Sequence, residues 1–225
     1  QIYPELAQRT RHVAHGMVRL ATGKMSSRSG EVTRAEDLLN EVRDRVLGIM
    51  ETSESELEGE ERQEVAEQVA VGAVRYSLLR VGVGKDIVFD VDTSLNLEGD
   101  SGPYLQYTHA RLKSILRKAA KDAKETKVTK VPGEVELDDV EHRMLVTTLR
   151  LPEVIEDALN NFTPSTIAAY LNRLAQQANG FYHSHPVIQE QDEAKRKARI
   201  ALVSGVALTL ARGLNLLGIA APEEM

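Results

Sequence analysis

The sequence predicts a mainly α-helical protein: a bundle of helices fills the C-terminal half, and a smaller mixed segment lies ahead of it. Three observations lead there. Apolar residues recur at helical spacing through most of the chain. Pro or Thr-Pro sits where those runs begin, as at Pro103 and at Thr163-Pro164. Only two stretches are short and β-prone, 13–20 and Ile87-Val88-Phe89-Asp90-Val91.

The elements follow in order. After the expected strand at 13–20 comes a Gly- and Ser-rich loop at 21–30. Thr33-Arg34-Ala35-Glu36 has capping-box spacing, and Leu38, Leu39, Val42, Val46 and Ile49 then mark a helix. An acidic stretch at 52–61 reads as an exposed loop. A second helix is expected over 62–80, with Val65, Val69, Ala73 and Leu78 on one side and Gly82 and Gly84 ending it. From Pro103 onward everything reads as helix. Leu105, Leu112, Ile115, Leu116 and Ala119 mark the first buried face, and a turn is expected at 130–133. Further helices are expected at 138–149, 152–161, 164–182 and 190–214, packed through short loops.

Composition excludes several classes. There is no cysteine, hence no disulfide and no thiolate zinc site, which agrees with a cytoplasmic location. No run of roughly 20 apolar residues predicts a membrane span. The opening residues Gln1 to Glu5 lack the basic end and apolar stretch of a signal peptide, and the start on Gln1 rather than Met fits a piece of a longer protein. Net charge is −6, but it is unevenly spread. Arg111, Lys113, Arg117, Lys118, Lys121, Lys124, Lys127 and Lys130 fall within about one helix and its exit, and the acidic excess lies in 51–67. A nucleic-acid site needs a local basic surface rather than a basic total.

Two segments carry chemistry. Gly23-Lys24-Met25-Ser26-Ser27-Arg28-Ser29-Gly30 places two cations and three hydroxyls between glycines. Such a loop can close over a polyphosphate and set charge against a leaving pyrophosphate, Arg28 with two donors and Lys24 as a point charge. By composition alone it reads more readily as a solvated polar turn. In the second segment, Tyr104, Tyr107 and Arg111 stand three and four residues apart, so they share a helix face. Exposed, that face offers rings for base stacking and a guanidinium for phosphate. Buried, it is core with a structural ion pair. His183 and His185 lack further ligands for a metal, and no nucleophile motif surrounds any Ser.

His12-Val13-Ala14-His15-Gly16-Met17-Val18-Arg19-Leu20, the loop after it, and Val32 with Asp37-Leu38-Leu39 together resemble the end of the catalytic domain of arginyl-tRNA synthetases. Lys24-Met25-Ser26-Ser27-Arg28 resembles the KMSKS loop of class I synthetases, with Ser27 and Arg28 where the family has Lys and Ser. Gly102-Pro103-Tyr104-Leu105-Gln106-Tyr107-Thr108-His109-Ala110-Arg111-Leu112 is similar to the first helix of the arginyl-type anticodon domain. Pro164, Ile167, Tyr170-Leu171, Leu174-Ala175 and the closing residues from Ala207 to Met225 follow the family's C-terminal pattern, with Glu224 in place of a basic residue.

The resemblance implies a helical-bundle anticodon-binding domain at 103–225, preceded by the remnant of an α/β nucleotide-binding catalytic domain at 1–32 and a helical connecting region at 33–102. It implies ATP-dependent attachment of L-arginine to its tRNA by the whole enzyme, with Mg2+ accompanying ATP and the family's HIGH motif lying upstream. Lys24 and Arg28 take the catalytic roles. His15, Met17, Val18, Lys24, Met25, Ser26 and Ser27 are placed at ATP. Tyr104, Gln106, Tyr107, Arg111, Lys113, Arg117, Lys118 and Met225 are placed at tRNA. No resident metal, no membrane partner and a monomer are expected. The rival readings are a stand-alone tRNA-binding module and a class I synthetase for another amino acid such as cysteine; Gln106-Tyr107-x-His109-Ala110-Arg111 favours arginine.

Overall fold

The computed structural model describes residues 3–21, 34–52, 57–122 and 135–225. The loop residues Lys24, Met25, Ser26, Ser27 and Arg28, the expected cap Thr33 and the turn at 130–133 lie outside them, as do Lys124, Lys127 and Lys130.

A short helix α1 (Pro4–Arg9) precedes strand β1 (Val18–Leu20). Helices α2 (Ala35–Thr52) and α3 (Gly59–Leu79) follow, then strand β2 (Ile87–Phe89) and the one-turn helix α4 (Val91–Ser94). The C-terminal half holds α5 (Gly102–Asp122), α6 (Asp139–Leu149), α7 (Leu151–Asn161), α8 (Pro164–Ser184) and α9 (Glu193–Leu216). β1 and β2 pair in parallel, with Val18 opposite Ile87 and Leu20 opposite Phe89.

Several expectations need correction. The strand expected at 13–20 forms only over its last three residues, where β2 is there to pair with it. The second β-prone stretch ends at Phe89, because the Asp90 carboxylate accepts from the Thr93 amide and caps α4. α1 was not anticipated, although Pro4 and Glu5 are good first-turn residues. α3 starts at Gly59, inside the segment expected to be loop. Thr163 precedes α8 but gives it no side-chain cap; its hydroxyl pairs with that of Thr166 at 3.0 Å. By length and composition α9 is apolar enough to cross a membrane. Here it is a core helix, packed by α5, α6 and α8.

Two apolar cores result. The larger joins α5 to α9, with Leu105, Leu171, Leu174, Leu210, Leu214 and Ile219 fully enclosed. Each such side chain contributes about 1.5–3 kcal/mol by burial. The smaller core holds Val42, Val46, Val65, Val69 and Phe89 between α2, α3 and β2. α3 and α5 bridge the two, and glycine sets their approach: a Cβ on Gly102 would overlap the carbonyl of Gly72. That crossing aims α5 so that one side enters the bundle and the other faces out. A buried ion pair fastens the far end of the bundle. Arg199 donates from Nε to Glu141 at 2.6 Å and from Nη1 to Glu190 and the Pro186 carbonyl, each at 2.7 Å.

Candidate RNA-binding groove

α5 carries the site, and its residues divide by face. Gln106, His109, Lys113 and Arg117 stand three, four and four residues apart, so they form one stripe. That stripe holds the segment after α9. The α9 helix ends in a left-handed turn at Gly218 (φ 68°), with the Ile219 amide donating back to the Leu214 carbonyl at 2.9 Å. Arg75 donates to the Gly218 carbonyl. Beyond it, Gln106 Nε2 donates to the Ala220 carbonyl at 2.9 Å, and also to the Gln68 carbonyl on α3 at 3.0 Å. His109 Nδ1 donates to the Pro222 carbonyl at 2.9 Å. Lys113 Nζ lies 2.5 Å from the Glu223 carboxylate. Arg117 reaches the Glu223 carbonyl and the Glu224 carboxylate, each at 3.0 Å. Burial lowers the His109 imidazole below its ordinary pKa, so it is held neutral, and a carbonyl partner requires the proton on Nδ1.

The next face of α5 looks outward. Tyr107 is 37% exposed and Arg111 is half-buried beside it. The Arg111 guanidinium lies 4.4 Å from the centroid of the Tyr182 ring and 5.7 Å from that of Tyr107. Tyr182 comes from the last turn of α8 and is 40% exposed. One turn earlier, Asn179 Nδ2 donates to the Tyr104 hydroxyl and to the Thr108 hydroxyl, both at 3.0 Å. This bond fixes the register of α8 on α5, so that the residue three on from Asn179 meets the residue three on from Thr108.

These outward residues edge a groove of about 520 Å³, floored by α5 and walled by Tyr182, Leu57 and the segment Glu223 to Met225. Among the described residues four cations line it, Arg111, Arg117, Lys118 and Lys121, against two carboxylates, Glu223 and Glu224. Lys118 and Lys121 are exposed and carry no ion pair among the described residues. A smaller apolar slot of about 150 Å³ adjoins it through Tyr107 and Met225, lined by Val46, Met50, Val65 and Leu97 among others. Rings, cations and an apolar slot in one groove suit unstacked bases on a phosphate backbone.

The expected tRNA contacts thus separate. Tyr107, Arg111, Lys118 and Met225 come together at the groove. Lys113 and Arg117 stand at its tail side, already paired with the chain's own carboxylates. Tyr104 and Gln106 do not reach it. Tyr104 is 9% exposed with its hydroxyl on Asn179, and Gln106 is fully enclosed with its amide on two carbonyls. Tertiary packing turns them inward, where Gln106 ties α5 to α3 and the tail and Tyr104 ties it to α8. Tyr182, which the spacing did not place at this face, joins it: in α8 Phe181 enters the core, and Tyr182, about 100° further round, is half-exposed.

On the β side, His15 and Met17 are exposed and Val18 is half-buried in β1. The Met17 amide donates to Asp86 at 2.9 Å, and Arg19 pairs with the same carboxylate at 3.0 Å. Asp138, Glu141 and His185 bring ligand atoms within 4.8 Å of one another. Those atoms have other uses. Asp138 caps α6 and pairs with His185 at 2.8 Å, and Glu141 accepts from Arg199 and from the Asp138 amide. The cluster serves as a helix cap and ion-pair lock.

Comparison with known proteins bears on the whole chain. The family described as DALR anticodon binding domain matches residues 105–225, and the class I (R) tRNA synthetase catalytic domain matches 1–91. An arginine–tRNA ligase of Pyrococcus abyssi is 38% identical over 99% of this chain and 36% of its own length. One from Alkaliphilus metalliredigens is 39% identical over 95% of this chain and 37% of its own. The arginyl-tRNA synthetase structure of Thermus thermophilus superposes with a TM-score of 0.84 at 33% identity, over 99% of this chain and 37% of that one. The chain therefore spans little more than a third of the length of these relatives. With more than half of its residues inside the matched domain, this chain belongs to the DALR anticodon binding domain family, and the relatives it resembles along its length are arginine–tRNA ligases.

Proposed function

We propose that this chain is the tRNA-reading part of an arginine–tRNA ligase, which joins L-arginine to its tRNA at the expense of ATP, and that the α5 groove takes the anticodon end. The observation that carries this reading is the Arg111 guanidinium set against two half-exposed tyrosine rings above Lys118 and Lys121. Two stacking faces flank a cation that can meet the phosphate between two bases. The bundle from about residue 103 onward is the anticodon domain, 33–102 the connecting region, and 1–32 the end of the catalytic domain.

On the ATP side, His15, Met17 and Val18 lie beside the adenine in this reading, and the two-stranded parallel pair β1–β2 is the margin of a larger sheet, since parallel sheets are ordinarily broader and covered on both faces. Lys24 and Arg28 then face the triphosphate with Met25, Ser26 and Ser27, and Mg2+ accompanies the nucleotide. The enzyme acts in the cytoplasm as a monomer. A ribonuclease footprint of arginine tRNA bound to this chain tests the proposal: protection centred on the anticodon loop is expected, and protection confined to the acceptor end overturns it.

A further inference from the structure

The groove's cations differ in what already holds them. Arg117 uses both terminal nitrogens on the chain's own tail, Nη1 on the Glu223 carbonyl and Nη2 on the Glu224 carboxylate, each at 3.0 Å. The two glutamates are not equivalent. Glu223 is clamped by its neighbours: the preceding Pro222 carbonyl is held by His109, and its carboxylate is held below the usual pKa range by the hydrogen bond from Lys113. The Glu224 side chain is 54% exposed, and its ion pair with Arg117 is its one polar contact among the described residues. Arg117 is thus anchored through a backbone carbonyl on one nitrogen, while the other faces a loosely held anion at the groove wall.

We propose that Nη2 of Arg117 is a subsite for a phosphodiester of the RNA backbone, and that Glu224 is its built-in competitor. A carboxylate and a phosphodiester both present two oxygens to a guanidinium. When RNA enters, the phosphate takes the place of the Glu224 carboxylate, which turns to solvent; the bond from Nη1 to the Glu223 carbonyl keeps the guanidinium in position. Glu224 therefore sets how tightly the groove holds RNA without touching RNA itself. Exposed ion pairs are weak and screened by salt, so the exchange is easy and its effect is greatest at low ionic strength. The inference rests on the groove being the RNA face.

The test is binding of arginine tRNA to the chain across a salt series, with Glu224→Gln, Arg117→Gln, the double variant, Tyr107→Ala, and Glu156→Gln as a distant exposed charge on α7. Glu224→Gln is expected to tighten binding about three- to tenfold at low salt, with the gain shrinking as salt rises, because the competing ion pair it removes is itself screened. Glu156→Gln is expected to give no such gain, and the gain should vanish when Arg117 is Gln. An unchanged or weaker affinity for Glu224→Gln, or a gain that persists without Arg117, overturns the inference. If Tyr107→Ala weakens binding while Glu224→Gln is silent, the competitor role alone fails. If Tyr107→Ala is also silent, the RNA-face reading fails with it.

Discussion

Arg111 and Tyr182 meet face to cation across the mouth of the groove, 4.4 Å from guanidinium carbon to ring centroid, although they stand on different helices. Their meeting depends on Asn179, which ties α8 to Tyr104 and Thr108 one turn below. Tyr182→Ala is expected to weaken arginine tRNA binding roughly 5- to 150-fold, the span of ~1–3 kcal/mol for one stacked base. Thermal stability should change little, because the ring is 40% exposed. Parallel binding and melting curves check both parts.

Gln106 should behave in the opposite way. Its amide joins the Gln68 and Ala220 carbonyls from an enclosed position, so Gln106→Ala removes two bonds and loosens the tail that walls the groove. A cost of about 1–3 kcal/mol is expected. That lowers the melting temperature by ~2–4 °C per kcal/mol for a chain of this size. Proteolysis of the native protein should then cut near residues 219–225 sooner than in the unaltered chain.

Lys118 and Lys113 separate free charge from committed charge. Lys118 is exposed without an ion pair among the described residues, whereas Lys113 lies 2.5 Å from Glu223. Lys118→Ala is expected to weaken all tRNAs alike and to flatten the log–log salt slope by roughly 0.7–0.9. Lys113→Ala should do so by a smaller amount, since its charge is already met. Equal slopes for the two variants would contradict this division.

Stability in acid offers a check away from the groove. The Glu141 amide, donated to the Asp138 carboxylate, is the largest cause holding that group to about 2, with the His185 contact adding to it. A carboxyl held low binds fewer protons folded than unfolded. Its stabilisation is therefore complete above its ordinary value near 3.8 and is lost as pH falls towards 2. Asn keeps the capping oxygen but does not titrate. Melting temperature measured from pH 5 to 2 should fall less steeply for Asp138→Asn than for the unaltered chain.

Much of this was legible in the sequence because helical periodicity is local. The inward face of α5, the Pro starts of α7 and α8 and the glycine stop after α3 all follow from neighbours along the chain. The Asp138-x-x-Glu141 capping box is equally local. What spacing could not give was the division of labour on α5. Tyr104, Tyr107 and Arg111 share a broad face by count, yet Asn179, 75 residues on, draws Tyr104 inside. Pairing of His109 with Pro222 spans 113 residues, and no local rule announces it. The basic run points to free charge, and only the folded tail shows which of its described cations have partners.

We propose that the Tyr107–Arg111–Tyr182 cluster reads an anticodon. The direct measurement is the ratio of affinities for arginine tRNA and an anticodon-swapped variant, in the unaltered chain and in Tyr107→Ala, with folding checked by circular dichroism. A ratio well above one is expected, falling towards one in Tyr107→Ala, with at least a tenfold loss for arginine tRNA. Unchanged affinities for both RNAs in a correctly folded variant would contradict it and place the anticodon face elsewhere on the molecule.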